Sequence, residues 1–230
     1  MTGFLHLRTP ALTVAQHLAL DRELLRAVND GAHPPLLRLW DCTDEAVVLG
    51  IAQRAEDCVF CAACAADGVP VLQRFSGGGA VWIGRGCLVY SVILTFGGAL
   101  KRYDVAGAYQ HILSFAITAF CRLNLAVEFC PPCDLALRGR KIAGNAQAQR
   151  RNAVLVHGSF LVNEDLSRMA RYLRLPARAP AYRRERAHQD FVMNLAEAGL
   201  DRQALAELLR RAWPASDADG QEQRISNIEH

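Results

Sequence analysis

Val69-Pro70-Val71-Leu72-Gln73-Arg74-Phe75-Ser76-Gly77-Gly78-Gly79-Ala80-Val81-Trp82-Ile83 runs from one apolar, β-branched stretch through three consecutive glycines into another. The pattern reads as strand, glycine loop, strand. The residues after the glycines matter most. A phosphate-binding P-loop continues into Gly-Lys-Ser/Thr, and a dinucleotide-binding loop opens a helix; here a second strand comes next, so neither fits. Without a Cβ, Gly77, Gly78 and Gly79 let the backbone come close to a ligand and turn N–H groups toward an anion or a carbonyl. Ser76-Gly77-Gly78-Gly79 is thus a candidate cradle, although a tight hairpin turn explains the same residues. Arg74, just ahead of it, is a candidate to hold a phosphate; the alternative is a surface cation at a strand end.

Outward from this loop, apolar positions at helical spacing over residues 11–29, with Thr13 as N-cap, predict a first helix ending before Asn29-Asp30-Gly31. Leu36 to Cys42 and Ala46 to Ile51 read as strands joined by Thr43-Asp44-Glu45, followed by an alanine-rich helix from Arg54 to Ala66. Further strands fit Ala80 to Ile83 and Leu88 to Leu94, and residues 105–122 form the longest amphipathic helix. Strand-like stretches at 126–129, 134–138, 140–149 and 153–162 come next. The C-terminal third predicts helices at Glu164 to Leu173, His188 to Glu197 and Arg202 to Ala212. Strands in the middle with helices at both ends give an α+β domain on a central mixed or antiparallel sheet. Residues 1–218 are expected to form one domain and 219–230 a flexible tail.

The 230 residues suit a single hydrophobic core, and 21% charged with 51% hydrophobic residues is ordinary for a globular chain. A net charge of +3 is too small to argue for nucleic-acid binding. No apolar run approaches the about 20 residues a bilayer span needs, and Met1 to His6 lacks a signal pattern, so a cytoplasmic protein without a membrane partner is expected. Arginines cluster between Arg168 and Arg186, which would favour an acidic partner surface.

Lys and Arg together number 26, yet Lys101 and Lys141 are the only lysines. A chain that uses arginine almost everywhere can keep a lysine where a compact ammonium must reach a phosphate or carbonyl oxygen in a narrow pocket, which singles out Lys141. The alternative is a leftover on a solvated turn. Eight cysteines are many. Cys58, Cys61 and Cys64 with the CxxC of Cys130 and Cys133 would furnish thiolates for an iron-sulfur or zinc site. Burial of small thiols along one helix face accounts for the first three more simply, and no metal site is assigned.

Three stretches in order carry a resemblance: Gln73-Arg74-Phe75-Ser76-Gly77-Gly78-Gly79-Ala80-Val81-Trp82, Asp134 through Arg138-Gly139-Arg140-Lys141-Ile142-Ala143-Gly144-Asn145-Ala146-Gln147, and Val156-His157-Gly158-Ser159-Phe160-Leu161. Together they resemble the family of lipoate-protein ligases and octanoyltransferases, which shares its catalytic fold with biotin-protein ligases; Pro180-Ala181-Tyr182-Arg183 with His188 is a weaker echo. The resemblance implies a fold like that of class II aminoacyl-tRNA synthetases and biotin ligases. It implies that Lys141 contacts the acyl carbonyl and the phosphate of an acyl adenylate. Arg74, Ser76, Gly77, Gly78, Gly79, Ala80, Val81, Trp82 and Asn145 would bind ATP and the adenylate, and His157 and Gly158 would line the acyl pocket. The acceptor would be a lipoyl domain or a glycine-cleavage-H-like carrier protein.

The family divides by mechanism. Ligases activate lipoate or octanoate with ATP and Mg2+; transferases pass octanoyl through a cysteine thioester. Gly144-Asn145-Ala146-Gln147 and the glycine cradle look like the ligase branch, which is the expectation adopted. Cys130 and Cys133, in the loop leading to the strand of Lys141, are the alternative nucleophiles, with a Cys130 thioester as the rival mechanism. Ile83-Gly84-Arg85-Gly86-Cys87 departs from the His-Asp that many ligases carry after the cradle. The chain is expected to lack the C-terminal accessory domain of larger ligases and to work alone or with a separate accessory chain. A non-catalytic thiol or metal-binding module on the same fold is a third reading, opposed by Lys141, Arg74 and the cradle.

Overall fold

The computed structural model describes residues 4–41, 43–176, 178–213 and 223–224. Its first strand, β1 (Leu5–Arg8), leads into helix α1 (Val14–Asn29). Thr13 caps that helix: its side chain accepts from the Gln16 amide while the Gln16 side chain reaches back, a reciprocal capping box. Val14, Leu18, Asp21, Leu24, Leu25 and Val28 form the buried stripe, spaced three and four apart as one helix face requires.

β2 (Leu36–Trp40) and β3 (Ala46–Leu49) come next as expected, but the alanine-rich segment does not make one helix. It splits into α2 (Ala55–Cys58) and α3 (Cys61–Ala66). Val59 bridges to Leu173 and the Phe60 amide donates to the Tyr172 carbonyl, so distant backbone pulls these two residues out of the helical path. Of its cysteines only Cys64 is buried, whereas Cys58 is half-buried and Cys61 exposed, so the expected row of buried thiols is not formed.

The remaining elements are β4 (Val71–Gln73), β5 (Val81–Ile83), β6 (Cys87–Thr95), α4 (Val105–Cys121), β7 (Val127–Cys130), β8 (Asp134–Leu137), β9 (Arg140–Gln149), β10 (Ala153–Leu161), α5 (Leu166–Tyr172), α6 (His188–Phe191), α7 (Arg202–Ala212) and β11 (Gln223–Arg224). The helix expected over His188 to Glu197 is only the short α6 plus a 3-10 turn at Leu195–Ala198. Between them Met193 donates its amide to the Lys141 carbonyl, an extended contact incompatible with a helix there. Of the tail expected over 219–230, Gln223–Arg224 pair in parallel with β1; its other residues, like Cys42, lie outside the described ones.

Eight strands form the main sheet in the order β11-β1-β2-β6-β10-β9-β8-β7, parallel where β1 meets β2 and β11 and antiparallel elsewhere. Helices α4 and α7 pack on one face around Tyr90, Phe120, Phe160 and Trp213. α1 covers part of the other with Leu20, Leu24 and Leu25 against Leu36, Ile93 and Leu155. Each such fully buried side chain contributes about 1.5–3 kcal/mol, so both faces of the central strands are pinned. A small sheet, β4-β3-β5, hangs beside α1 and carries the glycine loop between β4 and β5. This is the mixed-sheet α+β architecture expected. Among the described residues no helix is long and apolar enough to cross a membrane.

Candidate active site

Lys141 is the second residue of β9 and Asp134 the first of β8, joined through a tight turn in which Arg138 and Gly139 have φ of 54° and 69°. The register starts with Leu137 opposite Arg140 and Ala136 opposite Lys141, then slips so that Leu135 faces Ala143 and Asp134 faces Gly144. Ile142 is thus an extra residue on β9. In a regular strand residues three apart point to opposite faces; one inserted residue reverses that parity and puts Lys141 and Gly144 on the same face. The Lys141 side chain crosses Gly144, where a Cβ would stand 2.7 Å from Nζ, and its ammonium reaches Asp134 Oδ1 at 2.7 Å. Tyr182 donates its hydroxyl to the other carboxylate oxygen at 2.8 Å. The ammonium is therefore positioned, not merely present.

It faces a cavity of about 110 Å³. Arg74, Cys133, Asp134, Lys141, Asn145, His157 and Ser159 supply its polar lining, and Leu18, Trp40, Val48, Val81, Ile83 and Val89 its apolar lining. Such a cavity suits an aliphatic chain with a charged or carbonyl head beside Lys141.

The glycine loop is held from beneath. Arg74 is 6% exposed and donates to the carbonyls of Val48, Gly77 and Gly79 and to the Ser76 hydroxyl, at 2.6 to 3.2 Å. Burial lowers its guanidinium to about 10, still charged at neutral pH. Most of its N–H groups thus shape the loop. Gly78, at φ 93°, makes the turn, and a Cβ there would come within 2.9 Å of the same guanidinium.

Ser76 connects this loop to α1. Its hydroxyl lies 2.7 Å from His157 Nε2, and His157 Nδ1 lies 2.9 Å from Asp21 Oδ2. Burial pushes the Asp21 carboxyl up, but the Arg38 guanidinium and His157 outweigh it and leave it at about 2. As an ionised acceptor, Asp21 requires the proton on His157 Nδ1. Arg38, wholly buried, donates to Asp21 Oδ1 at 2.5 Å and meets His17 Nδ1 at 2.8 Å; Ser91 donates to Asp21 Oδ2. With Ser76 1% exposed, this Ser-His-Asp chain is a buttress and not a nucleophile.

Asn145 and Gly158 serve each other. The Asn145 amide nitrogen donates to the Cys133 carbonyl at 2.6 Å, its oxygen accepts from Tyr90 at 2.5 Å, and a Cβ on Gly158 would lie 2.1 Å from that oxygen. Gly158 opens the space that Asn145 fills.

The cavity thus gathers Arg74, Gly79, Ala80, Val81, Lys141, Asn145, His157 and Gly158. Ser76, Gly77 and Gly78 stand behind or along the loop. Trp82 faces away: strand alternation turns Val81 and Ile83 to the cavity and buries Trp82 against Tyr172, with its indole N–H on Glu164 at 3.0 Å. Cys133 lines the cavity and Cys130 does not. Burial and Asp134 push the Cys133 thiol up, while Lys141 pulls it the other way. Among the described residues no group of three or more His, Cys, Asp or Glu could hold a metal ion.

Asp134, Tyr182, Asp21 and Arg38 were not among the residues expected at the site. Two carried a signal: Asp21 stands on the apolar stripe of α1, and Arg38 interrupts Leu36-Leu37-Arg38-Leu39-Trp40, each a charge where burial was due.

The family model for the lipoyl protein ligase A/B catalytic domain matches residues 13–212. The chain is 29% identical to an octanoyltransferase LipM of Exiguobacterium sp., covering 69% of this chain and 66% of that protein. It is 28% identical to a Mycoplasma pneumoniae protein named probable lipoate-protein ligase A, covering 67% of this chain and 44% of that one. The chain therefore spans between somewhat under half and two thirds of the length of these relatives. Its fold is that of a bi-partite lipoate protein ligase from Thermoplasma acidophilum, with a TM-score of 0.79, 24% identity, and 98% and 88% of the two chains covered. With the family model extending across nearly the whole described domain, the chain belongs to the lipoyl protein ligase A/B catalytic-domain family.

Proposed function

We propose that this chain is a lipoate- or octanoate-protein ligase: it activates the acid with ATP to an acyl adenylate and passes the acyl group to a lysine of a lipoyl-domain or glycine-cleavage-H-like carrier. The observation that carries this reading is the Lys141 ammonium, fixed by Asp134 over Gly144 beside a cavity that Leu18, Trp40, Val48, Val81, Ile83 and Val89 help to line. In the first step a carboxylate oxygen of the acid attacks the α-phosphorus of ATP and pyrophosphate leaves. In the second the acceptor amine attacks the acyl carbon, the C–N bond forms, the C–O bond to AMP breaks, and the amine proton is lost. Negative charge gathers on the acyl carbonyl oxygen in the second step and on phosphate oxygens in both. A preorganised ammonium there stabilises the transition state where bulk water would have to reorganise. Arg74 and the glycine loop form the wall against which the head group lies.

Asp134 is the sole carboxylate lining the cavity among the described residues, and both its oxygens are engaged. Among the described residues the cavity lining offers Mg2+ no pair of carboxylates.

A second reading, octanoyl transfer through a thioester, is favoured by Cys133 lining the cavity and by the LipM names among the relatives. In that case Cys133 rather than Cys130 is the nucleophile. The raised thiol weighs against it, since the thiolate is the attacking species. The test is intact-mass analysis of an apo lipoyl domain after incubation with octanoate or lipoate plus ATP and Mg2+, or with octanoyl carrier protein without ATP. Product in the first mixture alone upholds the ligase; product in the second alone, lost in Cys133→Ser, replaces it by the transferase. Product in neither overturns both.

A further inference from the structure

Tyr103 is 75% exposed and has a φ of 67°, a conformation that a bulky non-glycine residue adopts only when its surroundings hold it there. Two glutamines of β9 do so. Gln149 Oε1 accepts the Tyr103 amide at 2.9 Å, Gln147 Nε2 donates to the Val105 carbonyl at 2.7 Å, and the two side chains are joined to each other at 2.9 Å. The same Gln147 accepts the Gly77 amide through its backbone carbonyl. One pair of residues thus ties both the glycine loop and an exposed aromatic knuckle, Lys101-Arg102-Tyr103-Asp104-Val105, to β9.

The knuckle has the make-up of a protein contact. Arg102 lies over the Tyr103 ring at 4.5 Å, and Val105 is also exposed. Lys101 and Arg102, with Arg150 and Arg151 just beyond Gln149, are four exposed cations. Within these two turns the only acid is Asp104, whose carboxylate is spent on the Gly107 amide as the cap of α4. Tyrosine and arginine are the residues on which interface energy concentrates. The arginine-rich segment from 168 to 186 is, by contrast, largely used internally. Arg168 pairs with Glu45, Arg171 with Asp67, and Arg174, Arg183 and Arg186 donate to backbone carbonyls.

We propose that the Lys101–Val105 knuckle, with Arg150 and Arg151, is the docking surface for an acidic face of the carrier domain that presents the acceptor lysine. The inference rests on the acyl-transfer reading and names its partner's contact. Its reach is right. Gly144, over which the Lys141 side chain crosses, and Gln149 are five strand residues or about 17 Å apart at about 3.3 Å each and face opposite sides of β9, whose edge β8 covers only as far as Gly144. A standard interface covers about 800 Å² per partner, a disc about 32 Å across, so a carrier centred on that edge takes in both Lys141 and the knuckle.

The test compares wild type with Tyr103→Gly, which keeps the left-handed turn and removes the ring, and with Arg102→Glu/Arg150→Glu. Each is assayed for acyl transfer to an apo lipoyl domain, using whichever donor supports wild type. The expected result is an at least tenfold higher KM for the lipoyl domain with kcat within about twofold. The wild-type KM should rise with salt, and the charge-reversed variant should be rescued by Lys replacing an acidic surface residue of the lipoyl domain. Thermal stabilisation of the enzyme by octanoate should be unchanged. An unchanged KM in both variants, or a fall in kcat alone, overturns the docking assignment while leaving acyl transfer standing. Wild type inactive with either donor overturns the function and the docking together.

Discussion

Gly144→Ala isolates the placement of the Lys141 ammonium without altering the lysine. Gly144 has no positive φ, so alanine suits its backbone and lowers the entropy of the unfolded chain. The added methyl would meet Lys141 Nζ at 2.7 Å and Cε at 2.9 Å; the next atom, Asp134 Oδ1, is 3.9 Å away. Ordinary van der Waals contact needs at least about 3.4 Å, so the ammonium must retreat by roughly 0.7 Å or more from where it meets Asp134. The tip of a flexible side chain moves cheaply, and the stability change should stay within about 1 kcal/mol. Catalysis is less forgiving. A misplacement of about 1 Å costs about 100-fold, or about 2.7 kcal/mol of transition-state stabilisation. The measurement is kcat/KM for transfer to a lipoyl domain beside a thermal melt. A variant that melts like wild type and transfers within threefold of wild type would refute the claim that Gly144 exists to seat Lys141.

Gly158→Ala makes the opposite trade. Its methyl would meet Asn145 Oδ1 at 2.1 Å and the Gly144 carbonyl at 2.7 Å, and the backbone cannot step aside. An overpacking cost of about 3 kcal/mol should lower the melting temperature by about 6–12 °C, readable by calorimetry. Lys141→Arg should melt like wild type and lose transfer at least about 100-fold, because the planar fork cannot occupy a seat shaped for an ammonium against Asp134. Stability should also fall with acid in a definite window. Burial, then Arg38, lowers His17 from 6.5 to about 4, so below pH 6.5 the unfolded chain binds a proton that the fold refuses. Stability is full above pH 6.5 and drops by about 3 kcal/mol toward pH 4; Asp21, lowered from 3.8 to about 2, adds a further loss below pH 4. Urea unfolding from pH 7 to 4 measures this, and in His17→Gln the slope between pH 6.5 and 4 should shrink to the part left by His188, which burial and then Arg183 also lower.

The legible parts of this chain are those whose signals are local. Thr13 with Gln16 marks the start of α1 within four residues, and Gly139 between two apolar stretches marks the β8–β9 turn. The glycine loop stood out for the same reason, since its chemistry is written in consecutive residues, while Lys141 stood out through the scarcity of lysine along the whole chain. The break at Val59-Phe60 was not legible, because the residues that impose it, Tyr172 and Leu173, lie more than a hundred positions later. The seating of Lys141 over Gly144 likewise depends on a register slip that leaves no mark on composition. Asp134 looked like the polar start of an apolar strand, and Tyr182 reaches it from a turn 48 residues away. Arg74 shows the converse limit: sequence located it beside the loop but could not say that its donors point into the protein.

The extra residue at Ile142 makes chain length, as well as residue identity, part of the site. Opposite residues of an antiparallel pair share a face, so Lys141, across from Ala136, stands on the face of Asp134 with or without the bulge. What the bulge accommodates is the odd step of three residues from Lys141 to Gly144, which a regular strand would turn to opposite faces. A chain that lost Ile142 together with the bulge would keep the lysine and the glycine two apart on one face, whereas the present chain paired without the bulge would part them. In related chains, then, a step of three with a bulge and a step of two without one are equivalent, and the residue count is read together with the strand register.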